Sequence, residues 1–287
     1  MVTDGERYAL GFLYLTISVV CLIMQTASLY IIASRKEFRQ QMAYIIMFNA
    51  GLFDITILIS GLNASAMTLA NSKFVIAVEQ FFAGVQDTSW MATIAIDLLL
   101  ALNRLDVVTI SLNFASSTKE RFTKALIGLV WVYWLAVLVL HLIPGNGVRF
   151  SLNNLFFGFT EGPISHLLES IEFYTTAPIV CCVLVIYCVI GLSMLVKRRN
   201  FSNNNLHIKN DHHEIRILAQ AVIMFSTVFA IVLTWHLGQY ILPASVWSGR
   251  GVYICYLLRA GLSPFMMIIF NRQVVTGKVP SVHTMAF

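Results

Sequence analysis

Seven apolar runs, each about as long as a bilayer crossing requires, leave this chain one class of fold. They are Leu10 to Ile32, Met42 to Ala70, Phe81 to Leu102, Ala125 to Ile143, Phe173 to Val196, Ile217 to Leu242 and Val252 to Asn271. An α-helix rises 1.5 Å per residue, so about 20 residues cross the roughly 30 Å of hydrocarbon. The strands of a membrane barrel would be about 10 residues long and would alternate apolar with polar. These runs are apolar on every side, and the chain as a whole is 58% hydrophobic and 11% charged, outside the range of soluble globular proteins. The expected fold is an all-α membrane protein, a seven-transmembrane helix bundle. Residues 1–272 make its single domain, and 273–287 form a short cytoplasmic tail.

Orientation follows from Lys and Arg, which stay in the cytoplasm when they lie close to a span. One alternating set of loops holds fourteen: Arg35, Lys36, Arg39, Arg104, Lys119, Arg121, Lys124, Lys197, Arg198, Arg199, Lys209, Arg216, Arg272 and Lys278. The other set holds Arg7, Lys73, Arg149 and Arg250, and Arg259 lies within a span. The amino terminus is therefore expected outside and the carboxyl terminus inside. The net charge of +5 reads as this topology signal, and no nucleic-acid partner is expected. The first run has the length of a span, lacks a small-residue cleavage site and follows a short polar head, so it serves as its own insertion signal.

All five cysteines, Cys21, Cys181, Cys182, Cys188 and Cys255, fall in apolar spans, which predicts packing roles and no extracellular disulfide. The triplets at Asn63 and Asn200 fit the glycosylation pattern, but one lies in a span and the other in a cytoplasmic loop. Two loops are long. The outer one, Pro144 to Glu172, is glycine-rich and can fold over the bundle mouth. The inner one, Lys197 to Arg216, carries His207, His212 and His213 without the Cys or acidic companions of a metal site, and reads as solvated. Neither cofactor nor metal is expected.

Ionisable groups inside a span cost several kcal/mol unless paired or near water, and three stand out: Asp54, Asp97 and Arg259. Asp54 is twelve residues from Met42 and Arg259 twelve from Asn271, each about 18 Å along its helix, so they lie at one depth. Asp97 is seven residues from Arg104, nearly two turns, and shares its inward face. Asp54 and Arg259 are expected to pair in the bundle centre with Asp97 as a second partner. Such a network either pins helix register or forms a two-state element that an agonist rearranges.

The segments AYIIMFNAGLFD (Ala43 to Asp54), LALNRLDVV (Leu100 to Val108) and PFMMIIFNR (Pro264 to Arg272) carry a resemblance to a known family. Their order and spacing resemble the rhodopsin-like seven-helix G-protein-coupled receptors and, within them, the nematode serpentine chemoreceptors, class T foremost, with class X or a neighbouring class as alternatives. Together with the seven spans, the resemblance covers nearly the whole chain. It implies a chemosensory receptor that binds a small organic ligand in the outer half of the bundle and activates a cytoplasmic heterotrimeric G protein. It also implies residence in the plasma membrane of sensory neurons or cilia. Asn103-Arg104 resembles the family's acidic-Arg-aromatic triplet, with Asn in place of the acid and Leu105 in place of the aromatic. The resemblance implies that Arg104 gates the G-protein cavity, while Asn103, unable to form the ion pair that holds such receptors off, implies raised basal activity. Ser263-Pro264 resembles the Asn-Pro motif of the last helix, with Ser replacing Asn and Met267 standing where tyrosine is usual. Asp54 matches the central acid of the second helix, where relatives hold sodium; here Arg259 would supply that charge.

Within this fold the ligand pocket is expected between the outer halves of the third, fifth, sixth and seventh spans. The candidates are Gln86, Asp87, Trp90, Tyr174, Thr175, Trp235, His236, Gln239, Tyr240, Tyr253 and Tyr256, aromatics with a few polar groups that suit a small compound. Asp87 either pairs with a cationic ligand or is hydrated at the outer end of its helix. Trp131 and Trp134 read as packing residues, and Pro178 and Pro264 as kinks. Enzymes are not expected: the span histidines His141 and His236 have no acidic or Cys partner at ligand spacing. A retinal pigment would need Lys in the last helix, where Arg259 is the basic residue. The alternative is a ligand-gated channel or transporter with Asp54, Asp97 and Arg259 lining a polar path; a non-signalling partner or decayed gene copy is the third reading.

Overall fold

The computed structural model describes residues 3–109, 116–200, 208–241, 243 and 245–270. Among them the chain forms α1 (Asp4–Ser34), α2 (Lys36–Arg39), α3 (Met42–Ala70), α4 (Ile76–Thr109), α5 (Ser116–His141), strands β1 (Val148–Ser151) and β2 (Phe156–Phe159), α6 (Pro163–Asn200), α7 (Ile208–Ile241) and α8 (Val246–Phe270). The seven long helices make a seven-helix membrane bundle. Each corresponds to one expected span, although α5 stops at His141, short of Ile143, and Leu242 and Asn271, the far ends of the last two, lie outside the described residues. Five of the helices are long and apolar enough alone to cross a bilayer. Of the other two, α7 contributes the apolar stretch Val222–Gly238, and α8 is interrupted by Arg250 and Arg259.

Local chemistry sets the helix ends. Thr3 caps α1 through a capping box, accepting the Glu6 N–H while Glu6 accepts the Thr3 N–H. Asn71 closes α3 in the left-handed region at φ 50°, a conformation asparagine tolerates. Pro163 opens α6, where its fixed φ suits a first turn and its missing N–H loses no bond.

One expectation is corrected here. The outer loop does not run to Glu172: α6 begins at Pro163, so Glu172 sits inside a helix. Within the remaining loop of this helical bundle, β1 and β2 form a short antiparallel hairpin, pairing Val148 with Phe159 and Ser151 with Phe156. Val148, Phe150 and Phe157 point inward from it, the period-two pattern of a half-buried ribbon. They join Tyr14, Leu155 and Tyr253 in one buried cluster, so the hairpin plugs one end of the bundle.

α4 is the central post, mostly buried, and it packs against α3, α5, α6 and α7. Close approach of α1, α3 and α8 depends on small residues: a Cβ on Gly61 would lie 2.6 Å from Ser18 Oγ and 2.8 Å from Leu257 Cδ2. Trp131 and Trp134 brace α5, donating to Asn49 Oδ1 at 2.9 Å and Ser89 Oγ at 3.0 Å while packing on Phe53. The large exposed residues, among them Phe12, Ile23, Leu129, Val132, Val185 and Leu192, are apolar, as a lipid-facing shell must be. All five cysteines are free, and Cys181, Cys182, Cys188 and Cys255 belong to that exposed shell rather than to the packed interior.

Candidate functional site

At mid-bundle the structure brings together the three span charges singled out by the sequence. Arg259 on α8 donates from Nη1 to Asp54 Oδ1 of α3 at 2.7 Å and from Nη2 to Asp97 Oδ2 of α4 at 2.7 Å. Asp54 and Arg259 are buried, whereas Asp97 keeps partial exposure and lines a narrow cavity with Tyr187. One guanidinium thus ties three helices, and its planar fork lets it serve two carboxylates at once.

Above this network, toward the hairpin, lies a small cavity of about 40 Å³. Its walls include Gln86, Asp87, Trp90, Trp235, Tyr253 and Tyr256, with Val148 and Phe157 of the hairpin as its roof. Tyr253 and Tyr256 donate to the Oε1 and the carbonyl of Gln86 at 3.4 and 2.9 Å. Trp90 forms the floor: Tyr256 packs against it at 5.1 Å, and the Arg259 guanidinium lies 5.9 Å from its ring centre. The cavity and the charged network therefore share a wall.

Not every expected ligand contact faces this cavity. Tyr174 is 73% exposed and Tyr240 80% exposed, each on the outer face of its helix. Tyr174 follows Glu172 by two residues, about 200° around the helix, which turns it away from the cavity wall. His236 packs edge-on against Phe173 at 5.0 Å, outside the lining. Thr175 is held by the Ile171 carbonyl and by the Tyr133 hydroxyl. The side chain of Gln239 lies outside the described residues.

His141 has the acidic partner that spacing along the chain did not reveal: its Nε2 stands 2.9 Å from Asp87 Oδ2. The backbone N–H of Val148 donates to Nδ1 at 3.5 Å, so the ring is set between the hairpin and Asp87. Asp87 is accordingly buried, 9% exposed, rather than hydrated at a helix end. Glu172 was passed over because it falls ahead of the apolar run of its helix, yet it is 1% exposed and lines the cavity. Its Oε2 accepts the Trp235 indole N–H at 3.3 Å.

The hairpin roof is clamped by a second group that the sequence reading missed. Buried Glu79 accepts Arg149 Nη1 at 2.8 Å on one oxygen and the Phe150 N–H at 2.6 Å on the other. Gln80 accepts Arg149 Nη2 at 2.7 Å and donates to the carbonyls of His141 and Ile143. Tyr14 and Arg250 hold the turn by donating to the carbonyls of Leu155 and Asn154 at 2.9 and 3.0 Å.

At the opposite end of the bundle, Asn103 and Arg104 stand in the last turns of α4. Arg104 lies within electrostatic reach of Tyr44 and Tyr187. Tyr187 also reaches Asp97, so polar groups lead from the mid-bundle network toward Arg104. Asp106, beyond the Asn-Arg pair, takes Lys119 of α5 at 2.9 Å. In α8, Pro264 is buried inside the helix beside Ser263, and Met267 accepts the Ser28 hydroxyl at 3.4 Å.

A family model described as "Serpentine type 7TM GPCR chemoreceptor Srx" matches residues 15–271. Of the classes raised by the motifs, this is class X rather than class T. No curated protein matches the chain. Among solved structures, the crystal structure of squid rhodopsin is similar over 100% of this chain and 89% of that chain, with TM-score 0.74 and 13% sequence identity. At that identity the likeness establishes the fold alone.

Proposed function

Because the chain belongs to the Srx family of serpentine seven-transmembrane G-protein-coupled chemoreceptors, we propose that it binds a small organic ligand in the hairpin-capped cavity and activates a cytoplasmic G protein through Arg104. The supporting observation is the continuity from cavity to network: Trp90 is at once the cavity floor and the surface over which Arg259 lies. A ligand that shifts Trp90 or Tyr256 would change the packing around Arg259 and thus the balance among Asp54, Asp97 and the inner half of α4. Aromatic walls and a few fixed polar groups fit a small compound.

In this reading the amino terminus lies outside, the hairpin faces the exterior, and the protein resides in the plasma membrane of a chemosensory cell. Residues 1–272 form the receptor domain, residues 273–287 the cytoplasmic tail, and no enzymatic step is involved. Arg104 meets the G protein where Tyr44 and Tyr187 approach it, and Ser263-Pro264 gives α8 a weak point at which it bends. Asn103 leaves Arg104 without the adjacent acid that would restrain it.

The test is recruitment of a G protein in cells expressing wild type or Arg104→Ala at matched surface levels, across a panel of small soluble and volatile compounds. Recruitment evoked in wild type and lost in Arg104→Ala is the expected result. Ligand-evoked current without recruitment, unchanged by the substitution, would overturn the proposal.

A further inference from the structure

We infer that the hairpin-capped cavity takes a small organic ammonium ion, anchored by Glu172 rather than by Asp87; this rests on the reading of that cavity as the ligand site. Two of the buried cations near it are already held by carboxylates: Arg259 by Asp54 and Asp97, and Arg149 by Glu79. Asp87 faces the His141 ring at 2.9 Å. Arg250 lies over the Trp247 ring and donates to the Asn154 carbonyl. Glu172, 1% exposed, is the carboxylate left over: among the described residues no cation stands within ion-pair distance of it. A carboxylate withdrawn from water is costly without a cation or a full set of donors, and the one indole N–H of Trp235 supplies a fraction of what is needed.

The walls decide which cation fits. Trp90, Trp235, Tyr253 and Tyr256 surround the space beside Glu172, and aromatic faces attract organic ammonium groups. A divalent metal would need several oxygen ligands, and no group of three metal-ligating side chains gathers among the described residues. The second carboxylate, Asp87, adds negative potential to the cavity, but its Oδ2 is already faced by His141 at 2.9 Å. The cavity, about 40 Å³, is small enough to favour a compact ammonium head over a bulky one.

The experiment is a titration of the purified full-length receptor in lipid nanodiscs with a short-chain alkylamine series, each amine paired with the neutral alcohol of the same shape. Isopentylamine against isopentyl alcohol is the reference pair. Binding is read as ligand-dependent thermal stabilisation near neutral pH, which needs no G protein. We expect at least one amine to bind roughly tenfold or more tightly than its alcohol. Glu172→Gln should erase that preference, a larger loss than Asp87→Asn produces; the reverse order would overturn the inference. Equal binding of amines and alcohols, an amine preference unchanged in Glu172→Gln, or no binding across the amine series would each overturn the inference. The wild-type comparison decides even if Glu172→Gln fails to fold. Amine binding without any G-protein response would leave this inference standing and remove the coupling proposal. A G-protein response to neutral compounds that is undiminished in Glu172→Gln would do the reverse.

Discussion

Arg259 answers two carboxylates on two different helices, so its loss would strand two buried charges where the loss of either acid strands none. Removing one partner of a buried pair typically costs about 3–5 kcal/mol. Arg259→Met should therefore abolish surface expression, while Asp54→Asn and Asp97→Asn each leave one Arg259 pair intact and are milder. Exchanging Asp54 and Arg259 should rescue little, because an acid at position 259 would face Asp97. Neutralising all three with Arg259→Met, Asp54→Asn and Asp97→Asn should restore expression, as measured by surface labelling; failure of the triple variant alongside tolerance of Arg259→Met would contradict this account. Sequence alone could place Asp54 and Arg259 at one depth by counting along two helices. It could not pair Asp87 with His141, two residues on different helices, because nothing in their local sequence records the α4–α5 packing that joins them. Nor did it reveal that Tyr174 and Tyr240 face outward, since aromatic character says nothing of rotation about the helix axis.

The hairpin is held to the bundle by polar clamps instead of a covalent bond, with Glu79 receiving both the Arg149 guanidinium and the Phe150 N–H. Buried charge-assisted bonds of this kind contribute about 1.5–3 kcal/mol each and are little screened by salt. Glu79→Ala should loosen the roof, raising amide exchange across 148–159 by at least tenfold while leaving the middle of α3 protected; unchanged exchange would mean that Phe150, Leu155 and Phe157 hold the roof by apolar packing alone. The seven helices were legible because apolar runs of span length admit no other element in a bilayer. The hairpin was not, because VRFS and FFGF are each only four residues long and sit among glycines that read as loop. The early start of α6 was hidden for a related reason. Its first turns carry His166, Glu169 and Glu172, and a search for apolar runs stops short of them.

At the scale of the whole molecule, the match over residues 15–271 and the shared fold with squid rhodopsin place a receptor architecture around an interior with its own charge arrangement. The last helix, α8, carries Arg259 and no Lys, so the fold is present without the Schiff-base lysine that a retinal pigment needs. The family was legible from three short segments because they mark fixed positions in the bundle. The class within it was not, because those segments describe features that the classes have in common. The central claim is that Arg104 couples this bundle to a G protein and that Asn103 leaves it partly unrestrained. The most direct measurement is ligand-free guanine-nucleotide exchange on purified heterotrimers by the receptor in nanodiscs, comparing wild type, Asn103→Asp and Arg104→Ala. The account predicts exchange above that of empty nanodiscs in wild type, a several-fold reduction in Asn103→Asp and background exchange in Arg104→Ala. Wild-type exchange that Arg104→Ala leaves unchanged, or a wild-type receptor that stays at background on every heterotrimer class, would contradict it.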